Sequence, residues 1–389
     1  MSSPEEQVKL LSSGVTQIHS EHELLEKLKK GKPLRVKLGF DPSSPDLHLG
    51  HAVVLDKVRQ FQELGHQPVI IVGDTTASIG DPTGKSKTRP ALDPETIEVN
   101  AKTYTDQVFK ILDSSQTEVR RNGEWFDTFT YGDVLKLNAQ MSVARLLERD
   151  DFQKRYKEGV SITLTEFQYP LMQGWDSVMI ESDVELGGND QLFNNLVGRD
   201  LQRSQGQDPQ VVMVMPILTG TDGVEKMSKS LGNYIGLTDV PEDMFGKVMS
   251  ISDETMDNWW SILKAAYGLG ERPDHPMQAK KHLAKRIVSR FHSESAGNEA
   301  LNQFELKFSK KTLDAADLEE YKVSENPIWI GKLLQECGAA KSGGDARRLV
   351  QQGAVKLNDE KFTDPKGNVE VEDGMRLQAG KKFFRKLIL

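Results

Sequence analysis

Leu34, Val36, Leu38 and Phe40 alternate with Arg35, Lys37 and Gly39, the period-two pattern of a strand with two unlike faces. Further on, Val54, Leu55, Val58, Phe61 and Leu64 recur at helical spacing until Gly65 closes the run. Pro68-Val-Ile-Ile-Val-Gly73 is continuously apolar between breakers, as a strand buried on both faces must be. Strand, helix and strand in this order form a βαβ unit and predict a parallel α/β sheet. Val184-Glu-Leu-Gly-Gly188 predicts a strand running into a paired-glycine turn, and Val211-Val-Met-Val-Met215 another buried strand stopped by Pro216. Residues 1–30 read as helices, with Leu24, Leu25 and Leu28 on one face. Residues 95–150 read as mostly helical, interrupted at Asn122-Gly123 and Tyr131-Gly132. From 241 to 322 the pattern is helical again, with Trp259, Trp260, Leu263, Ile287, Val288 and Phe291 as core candidates. Ser324-Glu-Asn-Pro327 reads as a linker; after it come two helical segments, 328–337 and 345–352, and short strands at 354–357, 369–371 and 375–378.

Composition narrows the class. A chain of 389 residues accommodates two or three domains, and 37% hydrophobic with 28% charged residues describes a globular protein, not a disordered or fibrous one. No run of about 18 apolar residues exists to span a membrane, and the polar N-terminus has no apolar core of a signal peptide. The single cysteine, Cys337, leaves no intramolecular disulfide and fits a reducing compartment, so a cytoplasmic location is expected. The net charge of −8 is unevenly spread: residues 327–389 carry 12 Lys and Arg against 8 Asp and Glu, leaving −12 on the rest. A basic tail on an acidic body predicts a nucleic-acid partner for the tail.

Candidate chemistry gathers where the first strand hands over to its helix. Gly39-Phe40-Asp41-Pro42 and Leu47-His48-Leu49-Gly50-His51 place two histidines and a glycine at a helix N-terminus, a cradle for an anion. A metal reading of the paired histidines lacks further ligands, since the chain has a single cysteine and no Cys-x-x-Cys. Gly80-Asp-Pro-Thr-Gly84-Lys85-Ser86 imitates a phosphate-binding loop, but only three residues separate its glycines where four are needed. Asp81 in that turn either caps it or holds a cationic group of a ligand. Tyr169, Gln173 and Asp176, at i, i+4 and i+7, share one helix face that suits a pocket wall, with Leu171, Met172 and Val178 packing elsewhere. Glu225 to Gly232 forms a glycine-bracketed lid with Lys226 and Lys229 as cations and Ser228 and Ser230 as hydroxyls. Such a lid suits closure over a triphosphate and stabilisation of a leaving pyrophosphate. In the tail, Arg347, Arg348, Lys356, Lys361, Lys381, Lys382, Arg385 and Lys386 could line a phosphate-binding surface.

His48-Leu49-Gly50-His51 and Lys226-Met227-Ser228-Lys229-Ser230 resemble the two signature sequences of class I aminoacyl-tRNA synthetases. Gly39-Phe-Asp-Pro, Gly80-Asp-Pro, Tyr169-x3-Gln173-x2-Asp176 and Gly188-Asn-Asp-Gln191 resemble the pocket of the tyrosyl family within that class, and residues 345–358 resemble an S4-type RNA-binding module. The resemblance implies an α/β, Rossmann-like parallel-sheet catalytic domain over 1–236, a helical domain for the tRNA anticodon region over 237–323 and a small α+β S4-type domain over 327–389. It further implies activation of L-tyrosine by ATP with Mg2+, transfer to tRNA(Tyr), no protein-bound zinc and a homodimer. By the same resemblance Ser43, His48, Gly50, His51, Gly188, Asp190, Met227 and Lys229 bind ATP, and His48, His51, Lys226 and Lys229 form the catalytic set. Tyr169, Gln173 and Asp81 receive the substrate ammonium and Asp176 the phenol, with Asp41 and Gln191 lining the same pocket. Arg347, Arg348, Lys356, Lys381 and Lys382 contact tRNA. The chain departs from the family at Lys37, where many members have a tyrosine that meets the phenol; Lys37 either faces elsewhere or pairs with Asp176. Asn189 and Trp175 are lesser departures. Two rival readings are a tryptophanyl enzyme, opposed by the Tyr169 face and the tail, and a decayed RNA-binding scaffold, opposed by the intact histidines and lysines.

Overall fold

The computed structural model describes residues 2–42, 46–81, 93–309, 318–358, 360–380 and 383–389. They fall into two units, Met1–Leu301 and Asn302–Leu389. In the first, helices α1 (Pro4–Ser12) and α2 (Glu21–Lys29) flank a strand that the helical reading of residues 1–30 missed, β1 (Gln17–His19). Three residues are too few to display a period, and β1 is fixed from outside by antiparallel pairing with β6 (Val211–Met215).

The remaining strands are β2 (Arg35–Phe40), β3 (Gln67–Val72), β4 (Glu118–Arg121) and β5 (Val184–Gly188), which with β6 are mutually parallel in the order β1-β6-β5-β2-β3-β4. Helix α3 (Leu49–Glu63) joins β2 to β3 as the βαβ pattern predicts, and α4 (Asp74–Ile79) and α5 (Pro94–Val108) lead on to β4. Strand β4 also lies inside a stretch read as helical; its Glu118-Val-Arg-Arg121 sequence is too charged to announce a strand and belongs on an edge. The chain then returns through α6 (Gly123–Phe126), α7 (Tyr131–Asn138), α8 (Val143–Leu146), α9 (Asp150–Lys157) and α10 (Leu164–Met179) to the other side of β2. There β5, α11 (Leu192–Ser204) and β6 complete the sheet.

This reversal makes the β2/β5 boundary the switch point of the sheet, the place where open α/β folds bind ligands. The ladders mark it physically. Strands β2 and β3 pair along their whole length, from Arg35↔Gln67 to Phe40↔Val72. Strands β2 and β5 pair only at Val36↔Val184 and Lys37↔Glu185, and then part. The crevice so opened faces the carboxyl ends of both strands.

Helices α12 (Pro241–Ser250), α13 (Asp253–Tyr267) and α14 (Pro276–Phe291) follow, and all six core candidates on α13 and α14 are buried. Arg290 of α14 donates to Asp56 of α3 at 2.8 Å, so these helices are tied to the one that begins at the crevice. Helix α15 (Glu294–Ser309) continues the helical pattern.

The second unit contains β7 (Glu320–Lys322), β8 (Ile328–Trp329), α16 (Ile330–Glu336), α17 (Gly343–Gln351), β9 (Val355–Leu357), β10 (Glu360–Lys361), β11 (Asn368–Val369), β12 (Arg376–Ala379) and β13 (Phe383–Ile388). Five of these strands form a sheet in the order β10-β9-β12-β13-β7. Strand β7, expected within the helical stretch, pairs in parallel with β13 and therefore belongs to this unit. Neither β7 nor β13 was read from the sequence. Their core includes Ile328, Leu333, Val350, Val355, Leu377 and Leu387. Among the described residues no helix is long and apolar enough to cross a membrane.

Candidate active site

The crevice encloses a cavity of about 580 Å³. Helix α10 forms one wall. Its start is fixed by a capping box in which Glu166 N–H donates to Thr163 Oγ1 at 3.3 Å and Thr163 N–H to Glu166 Oε1 at 3.0 Å. From this start the helix presents Tyr169, Gln173 and Asp176 to the cavity together, as their spacing predicts. The Tyr169 hydroxyl donates to Asp41 Oδ2 at 2.7 Å, and Asp41 Oδ1 accepts from Thr76 Oγ1 at 2.8 Å. A Cβ on Gly73 would stand 2.3 Å from Asp41 Oδ1, so only glycine leaves room for that carboxylate. Gln173 Oε1 accepts from Asn194 Nδ2 at 2.9 Å.

Asp176 is 4% exposed and accepts from Trp125 Nε1 at 3.0 Å. Burial raises its carboxyl to about 7, against the opposing pull of Lys37 and the hydrogen bonds from Trp125 and Asn122. Burial, with the Asp41 charge, pushes the Tyr169 phenol well above its ordinary range, so it remains a donor. Asp81 accepts from Gln191 Nε2 at 3.0 Å and stands 3.8 Å from the Arg149 guanidinium, which also meets Asp151 at 2.8 Å.

Lys37 resolves the two alternatives left by its departure from the family pattern. It is fully buried, and its direct ionic partner is Glu185 at 2.9 Å, not Asp176. The ammonium also donates to the Gln173 carbonyl and to Ser177 Oγ, each at 2.7 Å. Glu185, Arg149, Asn194 and Trp125 escaped the sequence reading. A signal for the first existed: Glu185 is the one charged residue of the apolar strand β5, at a position that could face Lys37 on β2.

At the mouth, His48 caps α3 and its backbone N–H donates to His51 Nδ1 at 3.2 Å, with the two rings 3.8 Å apart. Burial lowers His48 to about 2, helped by His51 and the two lid lysines, and lowers His51 to about 4. Both imidazoles are therefore neutral near pH 7 and act as hydrogen-bonding groups, not charges. His48 Nδ1 is buried without a hydrogen-bond partner among the described residues. Gly50 and Gly188 line the same cavity, and a Cβ on Gly188 would stand 2.7 Å from Asp190 Oδ1.

The lid is anchored at buried Met227, whose N–H donates to the Leu218 carbonyl at 3.0 Å. Lys226 reaches Asp190 at 2.9 Å and, with Met227, lines the cavity. Lys229 stands outside the lining, paired with Asp46 and 5.7 Å from the Tyr234 ring. Asp46 was not foreseen from the sequence. Ser43, Lys381 and Lys382 lie outside the described residues. In the second unit Arg347 and Arg348 are exposed on α17 and Lys356 is half-buried on β9.

Residues 29–311 match the family model of tRNA synthetases class I (W and Y), and residues 311–383 match that of the tyrosine–tRNA ligase SYY-like C-terminal domain. The tyrosine–tRNA ligase of Moorella thermoacetica is 50% identical over 394 residues, covering 98% of this chain and 95% of that protein. The tyrosine–tRNA ligase of Aquifex aeolicus is 49% identical over 389 residues, 99% of each. The crystal structure of tyrosyl-tRNA synthetase complexed with L-tyrosine from Archaeoglobus fulgidus superposes with a TM-score of 0.62 at 24% identity, over 77% of this chain and 99% of that one. At that identity the likeness speaks for the fold alone.

Asp176 binds its proton more tightly folded than unfolded, about 7 against an ordinary 3.8. Stability from this group is thus complete below pH 4 and lost as pH rises through 7. Asp176→Asn, which removes the ionisation, is expected to raise the melting temperature at pH 8 by a few degrees and to change it little at pH 4. Equal shifts at both pH values in differential scanning calorimetry would refute the assignment.

Proposed function

The chain belongs to the tyrosine–tRNA ligases, within the class I tRNA synthetases (W and Y), and from that premise we propose the reaction its cavity performs. L-Tyrosine is activated by ATP to tyrosyl-adenylate with release of pyrophosphate, and the tyrosyl group then passes to the 3′ end of tRNA(Tyr) for protein synthesis. The observation that carries this reading is the buried Asp176 carboxylate in a cavity whose mouth holds His48, His51 and Lys226.

Tyrosine enters with its phenol toward Asp176, which in its ionised form accepts a hydrogen bond from the hydroxyl. A phenylalanine ring would leave that carboxylate buried and short of a partner, which is unfavourable. Tyr169, Gln173 and Asp81 receive the substrate ammonium, with Asp41 and Gln191 completing the wall. ATP enters as its Mg2+ complex. Neutral His48 and His51 donate to the phosphates, Ser43 joins them from the preceding turn, Gly50, Met227 and Gly188 admit the adenosine, and Asp190 takes the ribose. The tyrosine carboxylate oxygen attacks the α-phosphorus, the bond to the bridging oxygen breaks, and the electron pair leaves with pyrophosphate. No covalent enzyme intermediate is required; positioning and charge stabilisation suffice. Lys226 and Lys229 supply the latter by exchanging Asp190 and Asp46 for the pyrophosphate oxygens.

We further propose a functional division at 1–236, 237–323 and 327–389, with tRNA held by Arg347, Arg348, Lys356, Lys381 and Lys382, a cytoplasmic location and a homodimer. The dimer is supported by exposed apolar side chains crowded into residues 131–164, among them Tyr131, Leu135, Val143, Tyr156 and Leu164.

ATP–pyrophosphate exchange with each of the twenty amino acids should respond to tyrosine; a response to tryptophan alone would overturn the reading. In the same assay Lys229→Ala should slow turnover about 100-fold while tyrosine affinity stays within about twofold, since the contact strengthens in the transition state. Equal losses in both would contradict its role. Ending the chain after Ser309 should preserve exchange and weaken tRNA charging at least tenfold, unchanged charging being the contrary result. Sedimentation should give twice the 43.6 kDa chain mass, and Leu164→Asp should halve it; a monomeric parent chain would dispose of the dimer.

A further inference from the structure

Lys37 and Glu185 face each other on the last paired rung of β2 and β5, where the strands part to form the crevice. Both are interior, 0% and 1% exposed. Of the three acceptors around the Lys37 ammonium, two belong to α10: the Gln173 carbonyl and Ser177 Oγ, each at 2.7 Å. They are one helical turn apart, and Asp176 lies between them in the chain. The third, Glu185, also accepts from Ser177 Oγ at 3.2 Å and from Gln210 Nε2, and its Oε1 lies 3.5 Å from Gln173 Nε2. Lys37 does not line the cavity, whereas Glu185 does. A buried pair of this kind adds little net stability over apolar residues of similar size; its directional bonds instead fix how two elements meet.

The surroundings of Asp176 are asymmetric. From β2, Lys37 favours its ionised form; from β5, Glu185 disfavours it; Trp125 and Asn122 donate to it. Tyr169 stands on its own helix, and Asp41 and Asp81 line the same cavity. Lys37 is thus the cation that acts on Asp176 from the sheet.

We propose that Lys37, paired with Glu185, is a positioning residue that sets the preference of the cavity for a phenol over a plain phenyl ring, by fixing the α10 turn that carries Gln173 and Asp176 and by placing a buried cation near the Asp176 carboxylate. The proposal rests on the reading of this cavity as the tyrosine site.

The test is ATP–pyrophosphate exchange by the full chain with tyrosine and with phenylalanine, from pH 5.5 to 9, for the parent, Lys37→Met, Lys37→Arg and Glu185→Gln. Lys37→Met is expected to raise KM for tyrosine about tenfold and to move the acid limb of kcat/KM up by about one pH unit, since it removes the cation favouring ionised Asp176. The turnover number, KM for ATP and kcat/KM for phenylalanine should stay within about twofold, so that discrimination falls about tenfold. Lys37→Arg should restore most of it, and Glu185→Gln should move the acid limb the other way. Equal losses for tyrosine and phenylalanine with an unmoved acid limb would show a purely structural role and overturn the proposal. If Lys37→Met fails to fold, Glu185→Gln decides alone, an unmoved limb being the refuting result. A parent chain that gives no tyrosine-dependent exchange overturns the reading of the cavity itself, a failure distinct from the others.

Discussion

Two parallel strands that stop pairing after one buried ion pair organise this molecule. Up to Lys37↔Glu185, β2 and β5 are ordinary neighbours; beyond it their edges separate and their chain ends diverge into helices on different sides of a gap. Backbone groups no longer tied to each other are free to meet a ligand, and the helix that follows β2 begins at the gap, its Leu49 N–H donating to the Ile235 carbonyl at 2.9 Å. The groups assigned to chemistry sit mainly on the strand ends, on those first helical turns, or on α10, which the same ion pair secures through Gln173 and Ser177.

The electrostatics of the site conflict with stability. Asp176 would keep its proton in so dry a place, and His48 and His51 are held neutral where ordinary histidines would begin to charge in mild acid. Each is costly to bury, and in the proposed reaction each has a use once buried: a desolvated carboxylate would discriminate strongly between a hydroxyl and a hydrogen, and a neutral imidazole would donate to a phosphate without adding a positive charge. The same logic explains the density of secondary partners. Asp41 is held by Thr76 and Tyr169, Gln173 by Asn194, Asp81 by Gln191. A misplaced polar group in this cavity would carry its desolvation penalty without a compensating bond.

Much of this was legible in the chain. The βαβ start follows from periodicity, the buried strands β3 and β6 from unbroken apolar runs, and the face of α10 from spacing alone. Short segments were not legible: β1 and β7 are three residues each and are strands only because β6 and β13 supply their partners. Charged β4 hides in the same way at the sheet edge. At the site, the residues read directly were those in contiguous motifs. Glu185, Arg149 and Asp46 act through partners far away in sequence, and strand register, which decides that Lys37 meets Glu185, is a property of the folded sheet.

The resting lid lysines are not bare. Lys226 lies on Asp190 and Lys229 on Asp46, both pairs partly exposed, where such contacts are individually weak, about 0–1 kcal/mol. The protein thereby carries its own counter-ions at the mouth of the cavity. In the proposed reaction an arriving polyphosphate would trade places with two carboxylates and would not fall onto naked positive charge, so small stray anions would gain little by settling there. Association should depend on ionic strength less steeply than two free ammonium groups would dictate, and the slope of that dependence reports how many of the internal counter-ions have let go.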